Sequence, residues 1–189
     1  MPWTFYDSTG AEKVISVPRA SYVTALPSNP ADGDEVIFVD SLTAPTYAWH
    51  LRYVAARSSN KWVFIGGSPL SAAVATSETS SSTTYAALAT AGPSVTIPVA
   101  GDYIVEHGST LSSGTNATGR HSYDIGGTGA VDADSVATEY VGAVGPTSVF
   151  RRKAKSLTAV TLTSKYKTSG GTVTVVERFL AVTPVAIGG

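Results

Sequence analysis

Residues 157–185, LTAVTLTSKYKT, SGG and TVTVVERFLAVTPV, decide the fold class. Both long runs are rich in Val, Thr and aromatic residues and alternate with period two, the signature of β-strands. Ser169-Gly170-Gly171 between them supplies the positive φ of a tight turn. The stretch is therefore expected to form one hairpin, with strands over Leu157–Thr168 and Thr172–Val185. The second run is longer than the usual strand of about five or six residues. No helix-periodic segment precedes it, so the chain is expected to be all-β.

Working toward the N-terminus, short strands recur at Tyr85–Ala89, Ser94–Ile97, Gly101–Ser112, Arg120–Ile125 and Val149–Ala154. Ala91-Gly92-Pro93, Pro98 to Gly101, Gly126-Gly127 and Gly145-Pro146 punctuate them. Such spacing predicts a jelly roll or β-sandwich. Ser135–Val144 fits either a short helix or a loop. Further upstream lie three more strand candidates, EVIFVD (35–40), TYAWHLRYV (46–54) and KWVFI (61–65), with Gly66-Gly67 closing the unit. Tyr47, Trp49, Leu51 and Tyr53 share one face and Ala48, His50 and Arg52 the other, so this part is a small antiparallel meander with an aromatic face. Its core is marginal for its size, and it should lean on a neighbouring surface. The expected organisation is an N-terminal anchoring arm (1–21), a meander (22–70), a hydroxyl-rich hinge (71–83) and a jelly-roll β-sandwich head (84–189).

Composition bounds the function. Of 189 residues 43% are hydrophobic, enough for a core, and only 14% are charged, well under the usual quarter. Net charge is −1, so no global field draws the chain to nucleic acid or to an anionic membrane. The chain has no cysteine, which excludes disulfides and zinc–thiolate sites. MPWTFYDSTGAEK lacks the basic head and apolar stretch of a signal peptide, and no apolar run approaches the roughly 18 residues of a membrane helix.

Residues 22–70 resemble a segment of tailed-phage virion proteins. The resemblance is carried by Leu26-Pro27 with Asp32-Gly33-Asp34-Glu35, by the strand YAWHLRY and by Lys61-Trp62-Val63-Phe64 before Gly66-Gly67. TYAALATAGPSVTIPVAGDYIVEHGSTL and the ending YKTSGGTVTVVERFLAVTPV resemble trimeric jelly-roll heads, as on phage fibres and on tumour-necrosis-factor-like and complement-type ligands. Together these imply a homotrimeric, non-enzymatic structural protein of a phage virion, assembled in the host cytoplasm, with other proteins of tail, neck or capsid as partners. Fibres often carry a coiled-coil or β-helical stalk. This chain has neither, which favours a short tail appendage, with a head or neck fibre or a host-glycan-binding module as alternatives.

No residue pattern compels catalysis, and no cofactor, metal, nucleic-acid or membrane-insertion site is expected. His50, His107 and His121 lack the spacing and carboxylate support of a metal site and read as surface or interface histidines. Asp132 and Asp134 share one face of an extended segment, a pattern compatible with calcium or glycoside chemistry, but in a Gly-rich loop they read as a solvated turn. There is no GxSxG. Gly126-Gly127-Thr128-Gly129 opens no helix, so it is not a phosphate cradle. In Arg151-Arg152-Lys153-Ala154-Lys155, alternate residues Arg151, Lys153 and Lys155 share a face, as on a solvated edge protected by charge. Trp49 and Trp62 read as packing of the small sheet rather than sugar platforms.

Three sets of interaction residues follow. Trp3, Phe5 and Tyr6 are large apolar side chains in a segment too short to bury them, and are expected to anchor the protein to the particle. The last strand offers apolar residues on two faces: Val173 and Val175 with Phe179 on one, Val176, Leu180 and Val182 on the other. A sandwich buries one such face, so the second is expected to bury against copies around a trimer axis. Glu177 and Arg178 interrupt it, facing solvent or pairing between subunits. Two polar loops, with Ser113, Thr115 and Asn116 in one and Thr128, Asp132 and Asp134 in the other, form the candidate surface for a host glycan.

Overall fold

The computed structural model describes residues 3–6, 12–15, 20–141 and 144–188. The alternating runs form strands throughout. β1 (Trp3–Tyr6) and β2 (Glu12–Ile15) make a two-stranded antiparallel sheet of their own. The meander supplies β3 (Ser21–Val23), β4 (Glu35–Val39), β5 (Ala48–Tyr53) and β6 (Trp62–Gly67). Then come β7 (Leu70–Val74), β8 (Glu78–Ser80), β9 (Ser94–Thr96), β10 (Gly101–Ser113) and β11 (Ala117–Ile125). A 3-10 turn (Asp132–Asp134) precedes β12 (Val136–Tyr140), β13 (Val144–Leu157), β14 (Thr161–Thr168) and β15 (Val173–Ile187).

Two sheets face each other. The larger has nine strands in the order β13-β10-β15-β6-β5-β4-β3, with β7 and β8 also paired on β15; the smaller runs β12-β11-β14-β9. From β8 onward the chain crosses repeatedly between the sheets, the winding of a jelly roll. The all-β expectation holds, and among the described residues there is no α-helix.

The terminal hairpin does not form. β14 pairs with β11 and β9 in the small sheet, whereas β15 pairs with β10 in the large one. Ser169–Gly171 therefore arches from one sheet to the other. Each strand buries one side chain in two, so laying them across the core covers both apolar faces at once. Side-by-side pairing would have left both faces needing a cover.

The length of β15 has a cause that the sequence hides. Along its second edge it pairs in succession with β8 at Val173–Val175, β7 at Arg178–Val182 and β6 at Ala186–Ile187. The segment expected as a hinge, 71–83, thus carries β8 and most of β7, because the edge of β15 needs backbone partners there. The meander joins the same sheet through β6, and its Trp49, Leu51 and Trp62 share one apolar cluster with Tyr103, Val105, Leu180 and Val182 of the sandwich. Trp49 and Trp62 are fully buried, so they pack the core. Gly66 and Gly67 do not close the meander but continue β6 opposite His50 and Trp49.

Two smaller expectations also change. Tyr85–Ala89 makes only one bridge, Ala86 opposite Tyr166, and the Tyr85 hydroxyl donates to Asp132 Oδ1 at 2.7 Å. Ser135–Val144, left open between helix and loop, contains β12 on the edge of β11.

Candidate interaction surface and buried polar band

A bulge in β15 decides which side chains face outward. Gly108 lies opposite Phe179 and Thr110 opposite Val176, so Glu177 and Arg178 together face the single residue Ser109. Glu177 takes φ 53°, the left-handed conformation uncommon for a side-chain-bearing residue. The extra residue shifts the alternation by one. Val173 and Val175 before the bulge, and Leu180 and Val182 after it, all point into the sandwich and are buried. These four are core residues and cannot form the trimer contact expected of them. Strict period two had placed them on opposite faces. Val176 and Phe179 remain on the outer face, partly exposed.

Phe150 from β13 joins them there, 57% exposed. Both Phe150 and Phe179 lie in register with Gly108 of the strand between them. Their rings stack across that strand with centroids 6.0 Å apart and planes at 18°. Gly108 permits this: a Cβ there would sit 2.6 Å from the Phe179 ring and 2.4 Å from the Val149 carbonyl oxygen. On one side of the pair lie Thr110, Ser148 and Val176, with the exposed Glu177 accepting from Thr110 Oγ1 at 3.1 Å. On the other lie Arg152 and Glu106, 3.7 Å apart, with Ala181, and Ala154 lies one row further.

Arg178 is not a surface charge. It is fully buried, and its guanidinium donates to Thr90 O at 3.1 Å, to Thr76 O at 3.4 Å and to Glu78 Oε2 at 2.7 Å. The Thr90 amide and then the guanidinium hold the Glu78 carboxyl below the usual carboxylate range. Arg178 lies 5.6 Å over the Tyr166 ring, whose phenol burial pushes up to about 12.

At the same level His107 and His121 are buried, contrary to the surface expectation. Inward positions run apolar, polar, apolar along each central strand. On β10 the series is Val105, His107, Ser109, Leu111; on β14 it is Leu162, Ser164, Tyr166. His121 on β11 and Arg178 on β15 complete the level. This polar band separates the larger apolar cluster from a second one holding Leu111, Tyr140, Tyr166, Val173 and Val175. The imidazoles meet edge to face at 4.8 Å.

The candidate binding loops are spread along the small sheet. Ser113–Asn116 precedes β11 and the turn with Thr128 follows it, so the strand's nine residues hold those two turns apart by on the order of 30 Å, whereas Asp132 and Asp134 run back to the level of Arg120 and His121. Ser113 is buried, with its hydroxyl donating to Thr172 O. Thr115, Asn116 and Thr128 are exposed. Asp132 is exposed and pairs with Lys167 at 2.7 Å. Asp134 is only 3% exposed and takes hydrogen bonds from both Lys153 and Lys155. Burial raises its carboxyl, but the two lysines outweigh it and the net shift is downward. Arg151 donates to Ser135 O. The basic run therefore clamps the 3-10 turn with its inward residues Arg151, Lys153 and Lys155, while Arg152 points outward. β13 is an edge strand, but three of its cations serve the interior instead of guarding the edge. A sequence signal did exist, since Asp132-Ala-Asp134 has the charge and spacing to meet alternate lysines.

Trp3, Phe5 and Tyr6 lie on β1, in register with Ile15, Lys13 and Glu12 of β2. Their side chains fall outside the described ones.

Among the described residues no three His, Asp or Glu side chains converge as metal ligands, and no helix is long and apolar enough to cross a membrane. One open cleft, about 510 Å³, lies between Asp40, Tyr47, Pro69 and Ser94. Its one carboxylate, Asp40, accepts from the amide and hydroxyl of Thr46, which hold it below the usual range.

No protein-family model and no curated protein matches the chain. Among solved structures it is similar to the tumour necrosis factor Eiger of S. frugiperda, with 11% identity and a TM-score of 0.47 over 65% of this chain and 96% of that one. It is also similar to a chain of infectious bursal disease virus, Gx strain, with 13% identity and a TM-score of 0.37 over 77% of this chain and 40% of that one.

Proposed function

We propose that this chain is a non-enzymatic structural protein of a phage virion, a minor tail protein or short tail fibre, which attaches by its N-terminus and displays its β-sandwich head as a homotrimer. The observation that carries the assembly is the outer face of the large sheet. That sheet packs its inner face on the small sheet, yet its outer face carries the stacked Phe150–Phe179 pair with Phe150 57% exposed. An exposed aromatic pair flanked by a few polar and charged side chains fits an interface, where aromatic residues and Arg are enriched. The interface assigned to the final strand thereby moves to Val176, Phe179 and Ala181, with Phe150 from β13. The virion assignment rests on the resemblance of residues 22–70 to tailed-phage proteins. The separate pairing of β1 with β2 supports an N-terminal attachment element distinct from the head.

Light scattering on the full chain at micromolar concentration is the test. Three chains are expected for the wild type, and one chain with an unchanged circular dichroism spectrum for Phe150→Asp. A wild-type monomer rejects the trimer. A trimer that survives Phe150→Asp rejects this face. Labelling the protein on intact particles tests the virion assignment separately.

A further inference from the structure

Two imidazoles inside a sandwich core, at the level where all four central strands turn polar, form a device distinct from the outer surface. His107 Nε2 donates to the Asp134 carbonyl oxygen at 2.9 Å. The neutral ring then has its lone pair on Nδ1, which has no hydrogen-bond partner. A proton arriving there finds no acceptor, and the surroundings oppose the charge. Facing His107 are His121 and Tyr123 of β11, Arg151 of β13 and Asp134 of the 3-10 turn. Asp134 is the one anion, and Lys153 and Lys155 already neutralise it. His121 bonds Ser164 Oγ of β14 at 3.0 Å, lies 4.7 Å from the Tyr166 ring and faces the Arg178 cation of β15, itself paired with Glu78 of β8.

We propose that the His107–His121 band is an acid-sensitive latch between the two sheets: mild acid drives protons onto both rings, which can accept them only by parting the sheets at this level, so that β11 and β12 detach from β10 and β13 while the meander stays closed. The meander shares the large apolar cluster but contributes no residue to the band, which confines the opening to the far end of the sandwich.

The titration agrees in sign. Burial holds His107 down to about 4, and burial together with its neighbours' positive charge holds His121 well below the ordinary 6.5. A base depressed in the folded state stabilises fully above pH 6.5 and loses that contribution as pH falls toward the folded value. Between pH 7 and pH 5 the closed state loses roughly 20-fold through His107 alone, and His121 adds to the loss in the same direction. Surface carboxylates titrate below this window, at about pH 4.

Hydrogen exchange on the full chain at pH 7 and pH 5, corrected for intrinsic rates, tests the latch. Protection in peptides covering β11 and β12 is expected to fall by more than roughly 20-fold while β4 and β5 keep theirs. An equal loss everywhere, or no loss in β11 and β12, overturns the latch. His107→Gln retains a donor toward Asp134 O and cannot titrate, so it should reduce the acid loss about 20-fold. An unchanged acid loss in this variant also overturns it. Should the variant fail to fold, the wild-type exchange pattern decides alone.

Discussion

Replacing Arg178 by Ala probes whether β15 carries its charge inward. The side chain is fully buried and makes three hydrogen bonds through two guanidinium nitrogens. Truncation removes two buried methylenes and the guanidinium carbon, about 2 kcal/mol of lost burial and packing. It also strips Thr90 O and Thr76 O of their donor, at about 1 kcal/mol each. The expected loss is about 4 kcal/mol, a fall in melting temperature of roughly 10 °C for a chain of this size. Arg178→Met keeps the methylenes and forfeits only the donors, so about 2 kcal/mol is expected. Urea unfolding followed by the fluorescence of the buried Trp49 and Trp62 measures both, at one fixed protein concentration and with the slope checked for constancy. Were Arg178 a solvent-facing or intersubunit residue, the loss would be under about 1 kcal/mol or would vary with protein concentration. Either result refutes the inward assignment.

Asp134→Asn should cost about 1–3 kcal/mol at pH 7 by weakening the Lys153 and Lys155 clamp. Because the folded carboxyl is depressed, the native contribution is present above the ordinary 3.8 and lost as pH falls through the folded value, so chemical denaturation should show the variant and wild type converging in strong acid. Gly108→Ala should destabilise by more than about 1 kcal/mol, since the new Cβ must displace the Phe179 ring and the Val149 carbonyl; a calorimetric melt equal to wild type would contradict the stacking geometry. Removing residues 1–19 should leave the melting temperature within 2 °C of roughly the full-length value while abolishing incorporation into particles, and normal incorporation in a complementation assay would end the anchoring proposal.

Much of the strand inventory was legible because alternation is a local property. EVIFV, AWHLRY, GDYIVEHGSTLSS and TVTVVERFLAV each announce strands from side-chain period and turn residues alone. Pairing was less legible. A tight Gly-containing turn between two alternating runs reads as a hairpin, yet the same residues serve an arch, and only the availability of β10 and β11 as partners selects the arch. The bulge at Glu177 left no mark that period-two counting detects, because a charged residue in left-handed geometry looks like any polar position. That single residue reversed the facing of half of β15 and brought Val173, Val175, Leu180 and Val182, expected on opposite faces, into the same core.

The charged and titratable groups divide in the same way. The amino-acid sequence by itself determined that the protein is all-β, that its second half winds as a sandwich, that Trp49 and Trp62 pack a core and that alternate cations of 151–155 share a face. Those conclusions follow from intrinsic geometry, since every second side chain of a strand points the same way whatever lies opposite. Only the tertiary structure decided that Arg178, His107 and His121 meet at one level inside the core, that Lys153 and Lys155 close on Asp134, and that Phe150 and Phe179 stack outside it. Each of these contacts joins strands far apart in the chain, and their meeting depends on register and on one inserted residue, quantities set by the free energy of the whole sandwich rather than by any local run of residues.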